Sequence, residues 1–116
     1  MPLQDWSETT LIAEMNDEPM FSEDFETLIG RLESAGDGTP DVIVNMIGVS
    51  RLNSSNLSQL LRLRKTLMSR ERRLRICSVD KEVRSVFLVT GLDQLFDFTD
   101  DVSTSLASLQ IESAPR

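Results

Sequence analysis

The chain has 116 residues, enough for one domain with its own core, and its 19 acidic and 12 basic side chains give a formal net charge of -7. That balance argues against a nucleic-acid binder or a ligand of anionic membranes, both of which need a basic footprint. The absence of histidine removes Ser-His and Cys-His catalysis, the commonest metal ligand and the usual proton carrier near neutral pH, so binding is the expected activity rather than catalysis.

Thr9 to Met15 places Leu11, Ile12 and Ala13 before the breaker-rich Asn16-Asp17-Glu18-Pro19 and predicts a strand. A helix follows: Phe21, Phe25, Leu28, Ile29 and Leu32 recur at helical spacing, Ser22 is the candidate N-cap, and Gly36-Asp37-Gly38-Thr39-Pro40 stops the pattern. Val42 to Ile47 is nearly all apolar and largely β-branched, as expected of a central strand buried on both faces. A second helix is predicted from Ser54 to Ser69 on the stripe Leu57, Leu60, Leu61, Leu67 and Met68, from which Leu63 falls away. Leu74, Ile76 and Val79 suggest a strand holding Cys77. Val83, Val86, Phe87 and Thr90 mark a third helix closed by Gly91. Phe96 to Phe98 suggests a short strand, and Asp100 or Asp101 can cap a last helix carrying Val102, Leu106 and Leu109. The expected fold class is therefore α/β, a small, mostly parallel mixed sheet of four to five strands with about four helices. A single domain over residues 1–116 is expected, with its core over about residues 9–109. The first few residues and the Ser113-Ala114-Pro115-Arg116 end lack apolar periodicity and are candidates for disorder, with Trp6 left between packing over a sheet edge and disorder.

Charge is unevenly spread: residues 1–41 carry 11 acids and 1 base, 42–78 carry 1 acid and 8 bases, and 79–116 carry 7 acids and 3 bases. Seven bases, Arg62, Arg64, Lys65, Arg70, Arg72, Arg73 and Arg75, fall within fourteen residues. They could steer an acidic partner, with Arg62, Arg64 and Lys65 as the candidate patch. The simpler reading is a solvated face paired in cis with the acidic segments. Cys77 cannot form an internal disulfide and reads as a small buried hydrophobe. With no leader-like start and no apolar run near the ~18 residues that span a bilayer, the expectation is a cytoplasmic protein. Glu23-Asp24 and Asp100-Asp101 read as solvated or capping charge, and no metal site or cofactor is expected.

The stretch Asp41-Val42-Ile43-Val44-Asn45-Met46-Ile47-Gly48-Val49-Ser50-Arg51-Leu52-Asn53-Ser54-Ser55-Asn56-Leu57 resembles the signature of STAS domains, the anti-sigma-factor antagonist family, in which an apolar strand ends in Asp and Asp-Ser-x-Gly-Leu then opens a helix. Val86-Phe87-Leu88-Val89-Thr90-Gly91-Leu92-Asp93-Gln94-Leu95-Phe96 is similar to a second family segment at the expected distance. Asn45 stands at the family's strand-end acidic position, Asn53 at the Asp before the phosphorylated serine, and Asn56 at the Gly. The resemblance implies the strand order and makes Ser54 the candidate phosphorylation site, ahead of Ser55. It also implies that Asn53, Ser54, Ser55, Asn56 and Leu57 form the partner-binding helix start. The implied partner is an anti-sigma factor and serine kinase of the switch type, sequestered to release a sigma factor in a bacterial cytoplasm.

A hydroxyl at a helix start faces unpaired N–H groups, so a phosphate there could be held locally while adding about -1.5 to -2 charges to an interface. The plainer reading is that Ser54 and Ser55 only help to cap a helix. Asn keeps the shape of Asp, so restoring Asn53→Asp with Asn56→Gly is expected to leave stability little changed and to speed phosphorylation. The alternatives are a scaffold subunit of a stress-signalling complex or a transporter-associated STAS protein, neither with a phosphoswitch. Catalysis by Ser54 as a nucleophile lacks a base, since there is no His and no Lys between Arg51 and Lys65.

Overall fold

The computed structural model describes residues 3–113. Five strands, β1 (Leu3–Ser7), β2 (Thr10–Asn16), β3 (Asp41–Gly48), β4 (Leu74–Cys77) and β5 (Phe98–Thr99), form one sheet in the order β1-β2-β3-β4-β5. β1 runs antiparallel to β2, and the remaining pairs are parallel. The helices are α1 (Met20–Ala35), α2 (Ser54–Ser69), α3 (Lys81–Thr90) and α4 (Val102–Ser113). The α/β class, the mixed sheet and the four helices match the sequence expectation, and β3 is central as its two-sided apolar pattern requires.

Alternation along the strands divides the core. Leu11, Ala13, Val42, Val44, Met46 and Ile76 join Phe21, Phe25, Leu28, Leu60, Leu63 and Phe87 in the larger cluster, under α1, α2 and α3. The intervening Ile12, Ile43 and Cys77 meet Leu109, Val102 and Leu106 of α4 on the other face. Cys77 is the buried hydrophobe expected, and burial pushes its thiol pKa up.

Gly48 sits where the β2–β3 register shifts, and a side chain there would stand 2.9 Å from the Met15 carbonyl oxygen. The two strands approach too closely there for a Cβ. Gly91 closes α3 at φ 75°, as expected. α2 closes without a glycine: Glu71 takes φ 57°, and the Arg72 and Glu71 N–H groups donate to the Leu67 and Met68 carbonyls at 2.8 and 3.0 Å, a Schellman arrangement.

Several sequence expectations are corrected. The first few residues, candidates for disorder, run into the edge strand β1 from Leu3 on, because Leu3 is buried in the main core; Trp6, left between edge packing and disorder, lies on that strand, half exposed. Ser22 does not cap α1. It lies inside the first turn, and its N–H donates to Glu18 Oε1 at 2.8 Å, so the carboxylate of Glu18 serves that end. On α2 the buried stripe is Asn56, Leu60, Leu63 and Leu67: Leu63 is fully buried and Met68 is 57% exposed. Asp24, expected to be solvated, is buried on α1. Asp101 caps α4, accepting from the Thr104 N–H at 2.8 Å. Residues 114–116 of the expected disordered end lie outside the described residues.

Candidate functional site at the start of α2

Adjacent parallel strands release their following loops side by side, so the residues after β2 meet those after β3. Asp17 follows β2 directly. Its carboxylate accepts from the Ser50 N–H at 2.8 Å, the Arg51 N–H at 3.2 Å and the Ser50 hydroxyl at 2.5 Å. These bonds, led by the Ser50 hydroxyl, hold the Asp17 carboxyl below its ordinary pKa. Glu18 accepts from the Ser22 N–H and hydroxyl at 2.8 and 2.6 Å and from Asn56 Nδ2 at 3.2 Å, and it is lowered chiefly by the Ser22 hydroxyl. A shallow depression of about 570 Å³ lies between these carboxylates and the chain from Ser50 to Asn56.

Asn53 is the N-cap of α2. Its Oδ1 accepts from the Asn56 N–H at 2.8 Å while its own N–H donates to Asn56 Oδ1 at 3.1 Å, a reciprocal capping box built from two asparagines. Asn56 is 2% exposed, and its Nδ2 also donates to Glu18 Oε2 and Gln59 Oε1, each at 3.2 Å. Gln59 Nε2 in turn donates to the Ser22 hydroxyl at 3.1 Å. The helix start is thereby tied to the start of α1 through side chains.

The five candidate contact residues separate by burial. Asn53, Ser54 and Ser55 are exposed; Leu57 packs against the main core; Asn56 is turned inward with both amide protons engaged. The Ser54 hydroxyl makes no hydrogen bond among the described residues, and the N–H groups of Ser54 and Ser55 likewise have no partner there. Those two donors face outward at the positive end of a 16-residue helix. The geometry offers an accessible hydroxyl beside unpaired N–H groups, which suits a phosphate chemically.

Asn45 is not at this site. β3 continues to Gly48, and Asn45 lies on the Ile43 face of the sheet, away from α2; its Oδ1 accepts from the Ile47 N–H at 3.1 Å. The basic run is largely engaged in cis. Arg62 lies 3.5 Å from Glu26 and 3.6 Å from Glu33, and Arg64 Nε donates to the Leu95 carbonyl at 2.7 Å. Arg70 Nη1 donates to the Leu32 carbonyl and to the Thr39 hydroxyl. Arg72 and Arg73 pair with Asp41, and Arg75 with Asp97. Lys65 is exposed, with no ion pair among the described residues.

Asp17, Glu18 and Gln59 were missed as site residues. Within the sequence Asp17 and Glu18 read only as breakers, since nothing in linear spacing links them to residues about 35 positions on; adjacency of β2 and β3 in a parallel pair is the signal that would have found them. Among the described residues no three Asp, Glu or Cys side chains gather to hold a metal. No helix there is long and apolar enough to cross a membrane.

The fold has solved counterparts. An anti-sigma-factor antagonist (STAS) domain protein from Planctomyces limnophilus has a TM-score of 0.77 at 17% identity, over 91% of this chain and 94% of that one. A serine-to-glutamate variant of RsbS from Moorella thermoacetica has a TM-score of 0.77 at 9% identity, over 98% and 100%. The phosphorylated form of the Bacillus cell-fate determinant SpoIIAA has a TM-score of 0.68 at 16% identity, over 92% and 96%. A search of the curated proteins found no match. The STAS domain model matches residues 10–106, which takes in every strand but β1 and reaches into α4, and the chain belongs to the STAS domain family.

Proposed function

We propose that this chain is a regulatory protein-binding module of the anti-sigma-factor-antagonist kind. It sequesters an anti-sigma factor and serine kinase of the switch type in the cytoplasm, through the exposed start of α2, and Ser54 is the residue whose phosphorylation releases that partner. The observation that carries the reading is the position of Ser54: exposed, first in the helix, with an unengaged hydroxyl beside two unpaired N–H groups. The fold it shares with an anti-sigma-factor antagonist domain, and with a relative solved in a phosphorylated form, supports the same reading. A phosphoryl group there would add negative charge at the start of α2 without disturbing a core contact.

The chain acts by binding rather than by catalysis in this reading, because no described base is hydrogen-bonded to the Ser54 hydroxyl. The test is a titration of the purified protein with a purified switch-type anti-sigma kinase from the same cell, followed by intact-mass analysis after ATP is added. Stoichiometric binding, lost as one phosphate appears on Ser54, is expected. Binding that persists after Ser54 is phosphorylated would favour the scaffold alternative.

A further inference from the structure

We infer that the opposite end of α2 carries a second docking surface, a groove with apolar walls and a basic rim that fits an acidic peptide segment of a partner protein. The groove holds about 260 Å³ between the last turns of α2, the start of β4 and the Leu95–Asp97 link. Met68 and Leu95 both line it, and they are 57% and 42% exposed. Large apolar side chains held together in water mark a contact surface when polar groups rim them.

The rim sets the charge of the occupant. Arg64, Arg72, Arg73 and Arg75 line the groove, and Asp97 is the one carboxylate that does so among the described residues. Arg73 and Arg75 are engaged within the fold by Asp41 and Asp97. Arg64 is differently placed: its Nε donates to the Leu95 carbonyl at 2.7 Å, which fixes the guanidinium beside the apolar wall, and its two Nη groups make no hydrogen bond or ion pair among the described residues. A planar fork held at Nε, with the four N–H donors of its two Nη groups to spare, is suited to a carboxylate. On a chain of net charge -7, a locally positive groove also orients an acidic partner, which the rest of the surface repels.

A peptide fits better than a small anion because exposed Met68 and Leu95 stand beside the arginines, so an apolar side chain next to carboxylates uses both features. The groove lies fourteen residues along α2 from Ser54, about 20 Å on a rigid rod. Its occupancy does not depend on the reading of Ser54.

The experiment is a titration of isotope-labelled full-length protein with a synthetic Glu-Glu-Leu-Leu-Glu-Glu peptide, followed by amide and arginine side-chain NMR, with a Lys-Lys-Leu-Leu-Lys-Lys peptide as control. Saturable shifts are expected at Met68, Leu95, Phe96 and Arg64 Nε–H, weakening with added salt and absent with the lysine peptide. Met68→Asp, at an exposed position, and Arg64→Glu, at a half-buried one, should each weaken binding at least about tenfold while leaving the remaining spectrum dispersed. If Met68→Asp loses its fold, Arg64→Glu decides. The proposal is overturned by the absence of saturable shifts, by shifts centred elsewhere, by equal binding of the lysine peptide, or by unchanged affinity in Arg64→Glu. Groove resonances that move with protein concentration alone would assign the surface to a second copy of the chain and likewise overturn it.

Discussion

Asn53 and Asn56 cap each other: each accepts the other's backbone N–H, at 2.8 and 3.1 Å. The two asparagines therefore form a structural device, and the expectation that the fold would hardly notice their replacement by Asp and Gly is revised. Asn53→Asp keeps the accepting oxygen and should be nearly neutral. Asn56→Gly removes a buried side chain with three hydrogen bonds and places glycine in a helix, which should cost about 2–3 kcal/mol. Urea denaturation of the two single variants checks this, and equal stability would show that the capping box contributes nothing net.

The chain's layout was legible because β3 is apolar on both faces and α1 repeats strictly at helical spacing, so local pattern and tertiary environment agree. α2 was legible in extent but not in facing. Leu57, Leu61 and Met68 compete with Leu63 for the buried face, and the presence of a buried Asn56 rotates the stripe to a residue type that a hydrophobic pattern ignores. Leu63→Ala should then cost about 2–5 kcal/mol, while Met68→Ala should stay within about 0.5 kcal/mol. The order of the two denaturation midpoints is the readout. At the candidate site the sequence singles out Ser54 but reads the cap as the serines' own, where Asn53 and Asn56 form it, and it misses Asp17 and Glu18, whose role exists only because two loops are adjacent in space.

Three carboxyls, Asp17, Glu18 and Asp101, are held below their ordinary pKa values by hydrogen bonds, chiefly from the Ser50 hydroxyl, the Ser22 hydroxyl and the Thr104 N–H. Lowered folded values mean that their stabilisation is present above the unfolded values and disappears as pH falls through the folded ones. With no histidine, stability should be nearly flat from about pH 6 to 8 and decline below about pH 4.5. Asp17→Asn should make that acid decline shallower. Urea midpoints across the range measure it, and a slope in the neutral plateau would point to a different titrating group.

Arg62 and Lys65 remain candidates for steering even though Arg62 sits between Glu26 and Glu33. Those pairs are exposed, so Arg62→Glu with Lys65→Glu should cost at most about 1 kcal/mol of stability. If the pair steers an acidic partner, its association rate at low salt should fall several-fold with little change in dissociation. Stopped-flow association over a salt series separates the two. Unchanged rates would leave both residues as solubilising charge.

Ser54 separates binding from stability in a way that a merely structural residue cannot. Its hydroxyl makes no hydrogen bond among the described residues and its side chain is exposed, so Ser54→Ala should leave both partner binding and the denaturation midpoint nearly unchanged. A carboxylate in the first turn interacts favourably with the unpaired N–H groups of Ser54 and Ser55, so Ser54→Asp should stabilise the fold by about 0.3–1 kcal/mol at low salt. The same charge buried in an interface should be costly to desolvate. It should weaken partner binding by more than about 1.4 kcal/mol, a factor of ten. A variant that folds more stably and binds more weakly assigns the loss to the interface rather than to damage. Calorimetric titration and thermal melts of the three proteins decide it: equal binding by wild type and Ser54→Asp would remove the start of α2 from the interface.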